Sequence, residues 1–309
     1  MNESLNMSLD PRYLSILLQV SRSGSFTAAA RELNMSQPAV SITIAQLEDR
    51  IGTPVVVRDR KGATLTDAGR LLLRRARAIE NILRHAEQEI AGHREETDGP
   101  LMVGGTPGAL LALLPPVLQR LRQEDRNFAM QALELKDEDI AASLRTRTIE
   151  VALCNASPLN LPSDIAQTTL QSEPFVLIAP LDCDLPEKDI EIADTVSYPW
   201  ILPLAEGVTR RQLEAVFLSA GVPLPRTIMR CDALATMKTL VAEAGFMTIL
   251  PASVVSREVN AGELRAITLR DGPPPRRLAL WRMSDDELSP LAARFVSVAR
   301  GLRASSGIN

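Results

Sequence analysis

Histidine, cysteine and long apolar runs are scarce in this sequence, and each shortage removes a class of function. There are two histidines in 309 residues. His85 and His93 fall in one predicted helix, on its polar face and expected to be solvated. A Ser-His-Asp or Cys-His site elsewhere in the chain therefore has no imidazole. The three cysteines, Cys154, Cys183 and Cys231, are too widely spaced for a disulfide framework or a metal motif. Cys154 lies in a buried-strand pattern and reads as inert, while Cys183 and Cys231 lie in segments expected to be exposed. No apolar run of about 18 residues occurs, so no membrane span is expected. The start, MNESLNMSLDPR, lacks a basic segment followed by an apolar one, so no signal peptide is read and the cytoplasm is the expected compartment. No phosphate-binding glycine loop is present, VGGTPG at 103–108 being too loose a match, and the sequence calls for no cofactor or metal.

Charge is unevenly spread. The formal net charge is −4, but residues 1–94 carry a balance of +3 and the remainder −7. A mildly basic N-terminal part joined to an acidic remainder permits DNA binding at one end. A length of 309 residues also favours two or more domains.

Residues 25–50 read SFTAAARELNMSQPAVSITIAQLEDR. Asp10-Pro11 opens a first helix that Ser23-Gly24 ends. Ser25 caps a second helix whose alanines at 28–30 allow close approach by a neighbour. After a turn at Asn34-Met35, Ser36 caps a third helix with Gln37 and Pro38 in its first turn. Val40, Ile44, Leu47 and Ile51 form its inward stripe. The opposite face carries Pro38, Ile42 and Ala45, flanked by Gln37 and Ser41. A solvated face normally carries Lys and Glu, so small neutral groups suggest a surface shaped to fit a partner. A tight two-helix unit with a protruding second helix suits the major groove of double-stranded DNA; an ordinary helical hairpin is the alternative. Two short β-like runs, Pro54–Arg58 and Ala63–Thr66, flank a turn bearing Arg60 and Lys61 and predict a hairpin wing that reaches phosphates.

The stretch GSFTAAARELNMSQPAVSITIAQLEDRIGTPVVVRDRKGATLTDAG resembles the winged helix-turn-helix of LysR-type transcriptional regulators. GSFTAAA, SQPAVS, QLE, the lone Arg58 after an apolar run and LTDAG all fall in register. The resemblance implies DNA contacts from Ser36, Gln37, Pro38, Ser41, Ile42, Ala45, Arg58, Arg60 and Lys61. The family commonly has Arg after the recognition-helix serine, with another basic residue following; here those places hold Ile42 and Ala45. Base readout is therefore expected to use Gln37, apolar contact of Ile42 with a thymine methyl, and DNA shape.

From Thr66 to His93 a long helical pattern repeats Leu72, Ala76, Ile79, Leu83, Ala86 and Ile90 at alternating spacings of four and three. This is a heptad seam that asks for a partner helix, unless it packs on its own domain. The resemblance implies homodimerisation through this linker, a dimer of dimers, and RNA polymerase as a further partner.

Beyond Leu101 strands and helices alternate, which predicts a parallel sheet with helices on its faces. The family's effector domain has a similar arrangement: two α/β lobes of the type 2 periplasmic-binding-protein kind, with a ligand cleft between. The expected division is a DNA-binding domain at 1–66, a linker helix at 67–95 and an effector domain at 99–309. Its first lobe spans about 99–170 and 275–309, and its second about 171–274. Ligands in such folds bind at the carboxyl ends of strands and at helix N-termini, which favour anions. Thr106 with Pro107, Asn155, and the segment Pro203 to Thr209 occupy such places. Phe246 lies in GFMTILP, which matches the family's second-lobe turn. Thr106 and Thr209 serve equally as simple helix caps, and Asn155 as a turn residue. An anionic metabolite is the expected effector. The alternatives are an enzyme on the α/β domain, a cysteine-based redox sensor on the same fold, and a pure solute receptor.

Overall fold

The computed structural model describes residues 9–59, 62–94, 97–124, 127–157, 161–186, 190–204, 208–285 and 287–305. The chain divides into two compact units. One runs to Met102 and adds Asn127–Gln131 and Glu138–Glu150, and the other holds the remainder. No helix among the described residues is long and apolar enough to cross a membrane.

The first unit is built by local signals. Helix α1 (Pro11–Ser23) starts where the Asp10 carboxylate accepts from Arg12 N, and ends at Gly24 in the left-handed conformation (φ 62°). Helix α2 (Phe26–Glu32) is capped by Ser25 and α3 (Gln37–Ile51) by Ser36, each hydroxyl accepting a first-turn N–H. Leu17, Val20, Ala29, Ala30, Val40, Ile44 and Leu47 make their shared core. Strands β1 (Val56–Asp59) and β2 (Gly62–Leu65) pair antiparallel as the wing, Arg58 opposite Ala63. The wing is seated by close backbone approach. Ala63 N donates to Gly24 O at 2.9 Å, and a Cβ on Gly69 would sit 2.1 Å from Val55 O. The glycine of LTDAG is thus a packing requirement.

Helix α4 (Asp67–Arg94) divides the heptad seam in two. Leu72, Leu73, Ala76 and Ile79 pack with Leu14 and Leu18 of α1, so the first half of the seam is covered within its own unit. Further along, Leu83 (55 % exposed) and Ile90 (62 %) stay open, as do Leu71 and Ile82 on the adjoining face. Asn81 Nδ2 donates to Thr146 O at 2.7 Å and anchors the middle of the helix. His85 is half-buried, with Nε2 shielded and unpartnered, which corrects the expectation of a solvated ring. Burial, helped by the charge of Arg84, lowers its pKa. The side chain of His93 lies outside the description.

Beyond α4 the chain forms two lobes, the first of which takes the start of its first strand, residues 128–131 and most of the helix at 137–145 from the first unit. This first lobe is centred on a five-stranded sheet of order β4-β3-β5-β12-β6. Its strands are β3 (Asp98–Gly105), β4 (Phe128–Glu134), β5 (Val151–Asn155), β6 (Ile165–Glu173) and β12 (Arg276–Met283). β3 and β5 are parallel, but β12 runs antiparallel to both β5 and β6, so the expectation of a parallel sheet is corrected to a mixed one. Helices α5 (Pro107–Arg122), α6 (Asp137–Arg145) and α10 (Pro290–Ser305) belong to this lobe. In the second lobe β7 (Phe175–Ala179) lies between β10 (Thr248–Pro251) and β11 (Arg265–Ile267), antiparallel to both. The parallel pair β8 (Trp200–Leu202) and β9 (Ile228–Arg230) joins β10 through a bridge from Trp200 to Met247. Helices α7 (Val208–Ser219), α8 (Leu234–Ala244) and α9 (Ala252–Asn260) complete it.

Candidate nucleic-acid interface and effector cleft

The outward face of α3 carries Ser36, Pro38, Ile42 and Ala45 exposed, with Gln37 and Ser41 half-buried beside them. Ile42, at the centre of this face, is 58 % exposed. Ser36 holds the helix start by accepting from Ala39 N at 3.3 Å. Glu48 fixes the other end. Its Oε1 accepts from Val55 N (2.8 Å) and Val56 N (3.1 Å), tying the recognition helix to the root of the wing. That role explains the glutamate of QLE, a residue sequence reasoning had left without a function. Arg58 lies in β1, though its side chain is not described; Arg60 and Lys61 lie outside the described residues.

In the second unit the carboxyl ends of β3, β4 and β5 meet. Thr106 follows β3, its N–H donating to Leu153 O at 3.1 Å, and Leu135 N donates to Gly105 O at 2.8 Å. Thr106 occupies the cap position of α5 but makes no side-chain cap bond. It is 9 % exposed, with Oγ1 shielded and unpartnered. Simple capping is therefore not what its hydroxyl does. Asn155 ends β5 and hydrogen-bonds the Asp137 carboxylate, while its own Oδ1 is shielded and unpartnered.

Asp137, Glu173, Ser253 and Arg276 join this group, and sequence reasoning missed all four. Arg276 donates through Nε to Glu173 at 2.5 Å and through Nη2 to Gly108 O at 3.2 Å. Glu173 Oε2 in turn accepts from Ser253 N at 3.3 Å, and Ser253 Oγ is a further shielded, unpartnered atom. Burial lowers the pKa of Arg276, and the Glu173 and Asp137 carboxylates oppose it. Burial raises that of Asp137 above the usual carboxylate range, opposed by the Asn155 hydrogen bond and the charge of Arg276. Asp137 is nevertheless exposed at the surface; neighbouring atoms crowd the carboxyl while part of the residue still meets water. The signal for Asp137 was present, since it follows a strand at the same sheet end as Thr106.

A raised folded-state pKa means that ionisation opposes folding. The stabilising contribution is present below the unfolded value, about 3.9, and is lost as pH rises through the folded value. Asp137→Asn should therefore melt above wild type at neutral pH, with the gap closing as pH falls through the carboxylate range. Parallel melting curves across pH check this, and a gap independent of pH refutes it.

The second-lobe residues have partners of their own. Pro203 follows β8 and its carbonyl accepts from Arg230 Nη1 at 3.3 Å. Thr209 lies in α7, its side chain not described. Phe246 packs against the cluster of Met237, Val241 and Leu250. Among the described residues no hydrogen bond or ion pair joins Pro203 or Phe246 to the Thr106 group. An open hollow lined by Gln167, Thr168, Thr169 and Arg300 lies on β6 and α10 and shares no residue with this group.

Cys154 is buried, and burial together with the nearby Asp137 carboxylate raises its thiol pKa far above normal, which makes it a poor nucleophile. Cys183 and Cys231 are each partly buried, against different core clusters of the second lobe.

Family models decide the wider assignment. The bacterial regulatory helix-turn-helix of the lysR family matches residues 11–70, and the LysR substrate binding domain matches residues 94–303. The chain belongs to the LysR family. It is a DNA-binding transcriptional regulator with an effector-binding domain, and its curated relatives are transcriptional regulators. One is the Hca operon transcriptional activator HcaR of Escherichia coli K12, 29 % identical over 304 residues, covering 96 % of this chain and 99 % of that one. Full-length CbnR, solved in complex with its target DNA, has the same fold at TM-score 0.67 and 20 % identity, covering 95 % of this chain and all of that one. LysG of Corynebacterium glutamicum, solved with bound effector Arg, is similar at TM-score 0.63 and 20 % identity, covering 96 % and 99 %.

Proposed function

We propose that α3 reads the major groove through Ser36, Gln37, Pro38, Ser41, Ile42 and Ala45, while Arg58, Arg60 and Lys61 of the wing contact phosphates. The observation that carries this reading is the exposed, neutral outer face of α3, with Ile42 at its centre. Residues 1–66 act as the DNA-binding domain, 67–95 as the dimerisation helix and 99–309 as the effector domain. The effector presents an anionic group to the N-terminus of α5 at Thr106 and Pro107, with Asn155 beside them and Pro203, Thr209 and Phe246 contributed by the second lobe. The protein works in the cytoplasm as a homodimer through α4, assembling further to a dimer of dimers, and engages RNA polymerase. It acts by binding and not by catalysis.

Footprinting upstream of the protein's own gene tests the reading and supplies an operator. On that operator Ile42→Ala removes apolar contact worth about 1–2 kcal/mol, or roughly 5–30-fold in affinity. The loss should vanish when one thymine is replaced by uracil, which lacks the methyl. Equal losses on both DNAs remove Ile42 from base readout.

Arg60→Ala should behave differently. A phosphate contact carries no sequence information, so affinity should fall alike on operator and random DNA. The slope of log affinity against log salt should flatten by about one. Equal slopes for variant and wild type remove Arg60 from the contacts.

A further inference from the structure

We propose that Asn81 is a positioning residue for DNA binding. By holding α4 on the turn after α6, it decides which face of α4 meets the partner subunit, and so how far apart the two recognition helices stand. This rests on the homodimer reading given above and names a residue that sets its geometry.

Past its contact with α1, helix α4 has two faces that differ in kind. Leu83 and Ile90 stay open. Asn81, His85, Gln88 and Gly92, spaced at i, i+4, i+7 and i+11, are half-buried and form one stripe. Leu83 lies about 200° round the helix from Asn81, so the two faces point in nearly opposite directions. At one end of the stripe Asn81 reaches the turn at 146–148. At the other, a Cβ on Gly92 would sit 2.7 Å from Thr97 O and 3.2 Å from Gly99 O, where the chain enters β3. The stripe holds no large apolar side chain. Apolar burial is non-directional and selects no single register, whereas one polar residue with directional bonds does.

Asn81 supplies those bonds. Its Nδ2 donates to Thr146 O at 2.7 Å and reaches Thr148 Oγ1 at 3.4 Å, while Oδ1 accepts from Arg84 Nη2 at 3.0 Å. Both ends of the amide are engaged, which fixes its orientation. The turn it grips is firm. Arg147 takes the left-handed conformation (φ 57°), and Arg147 N donates to Leu144 O and Thr148 N to Ser143 O, each at 3.0 Å, the Schellman closure of α6. Thr146 Oγ1 donates back to Ala142 O at 2.9 Å, and Glu150 N ties the following residues to Met102 O of β3 at 2.9 Å. On the other side of the helix-turn-helix junction, Glu80 accepts from both terminal nitrogens of Arg22 in α1, at 3.0 and 2.8 Å. Among the described side chains of α4, those that hydrogen-bond outside the helix are Arg70, Glu80 and Asn81. Two consecutive residues thus fasten α4 to the helix-turn-helix and to the turn after α6.

The test is gel-shift titration of the full-length protein on versions of the footprinted operator with one or two base pairs added or removed between half-sites. Each base pair moves a half-site by about 3.4 Å and turns it by about 35°. Wild type should prefer the native spacing by about tenfold or more. Asn81→Asp keeps the shape and an acceptor for Arg84 but cannot donate to Thr146 O. It should sediment as wild type does, bind a single half-site equally well, and prefer the native spacing by no more than about threefold. Asn81→Leu removes both bonds and carries the same expectation should the aspartate variant not fold. Thr195→Val, which removes a buried hydrogen bond to Ile192 O far along the chain, is the control and should keep the wild-type preference. An Asn81 variant with the full wild-type preference overturns the proposal. So does a Thr195→Val protein that loses it, since general destabilisation would then explain both. Dissociation of Asn81→Asp to monomers also overturns it, because Asn81 would then hold the subunits together rather than set their geometry. Wild type bound alike at every spacing overturns this inference together with the two-half-site reading beneath it.

Discussion

Arg276→Leu should lower the melting temperature of the protein by roughly 6–20 °C, the largest stability loss expected of any single change outside the hydrophobic core. Arg276 and Glu173 face each other in the register of β12 and β6, where the chain crosses from one lobe to the other and back. Their side chains are 13 % and 7 % exposed. Removing one partner of a buried pair leaves the other charge uncompensated, which costs about 3–5 kcal/mol, and each kcal/mol shifts a unit of this size by about 2–4 °C. Gly108 O loses a donor at the same time. Glu173→Gln added to Arg276→Leu removes the stranded charge yet keeps an acceptor for Ser253 N, so the double variant should recover most of the loss. A melting temperature for Arg276→Leu within about 1 °C of wild type would show that the pair contributes nothing to stability.

That pair also marks where reading the chain residue by residue ends. Glu173 and Arg276 are 103 residues apart, and no local pattern announces that they meet. The strand carrying Glu173, IAQTTLQSE, escaped notice because it lies at a sheet edge and buries only Ile165, Leu170 and Glu173, so neither alternation nor an apolar run marks it. Strand direction is equally invisible. Alternating strands and helices suggested a parallel sheet, and only the late return of β12 between β5 and β6 makes it mixed. The helix-turn-helix, by contrast, was legible almost to the residue, because its determinants are local. Asp10, Ser25 and Ser36 cap the helices, Gly24 ends the first, and Val40, Ile44 and Leu47 point inward. Thr106 and Asn155 were singled out by the rule that ligands gather at strand ends, and the same rule, applied to the strand before Asp137, also picks out that residue, which lies beside Asn155. The heptad seam lies between these cases. Its period was plain, but a period does not say what covers each turn, and α1 covers the first half.

The uncovered half carries the other large prediction. Leu83 and Ile90 lie one heptad apart on α4 and are 55 % and 62 % exposed, with Leu71 and Ile82, also half exposed, on the adjoining face. A stripe of this kind on a 28-residue helix is what a coiled-coil partner would cover, and under the homodimer proposed above that partner is a second α4. Leu83→Lys puts a charge where two such stripes meet and should convert the assembly to monomers. DNA affinity should then fall steeply. A dimer that holds two recognition helices on two half-sites gains about 10²–10⁴ over one helix alone, through effective concentration, and a monomer forfeits that gain. Leu218→Lys, at an exposed leucine (80 %) of the effector unit, is the control and should change neither property. Sedimentation measures the assembly and gel-shift titration on the footprinted operator measures the affinity. If Leu83→Lys sediments as wild type does, α4 does not hold the subunits together. If it dissociates yet binds the operator unchanged, one recognition helix suffices and the two-half-site account of binding fails.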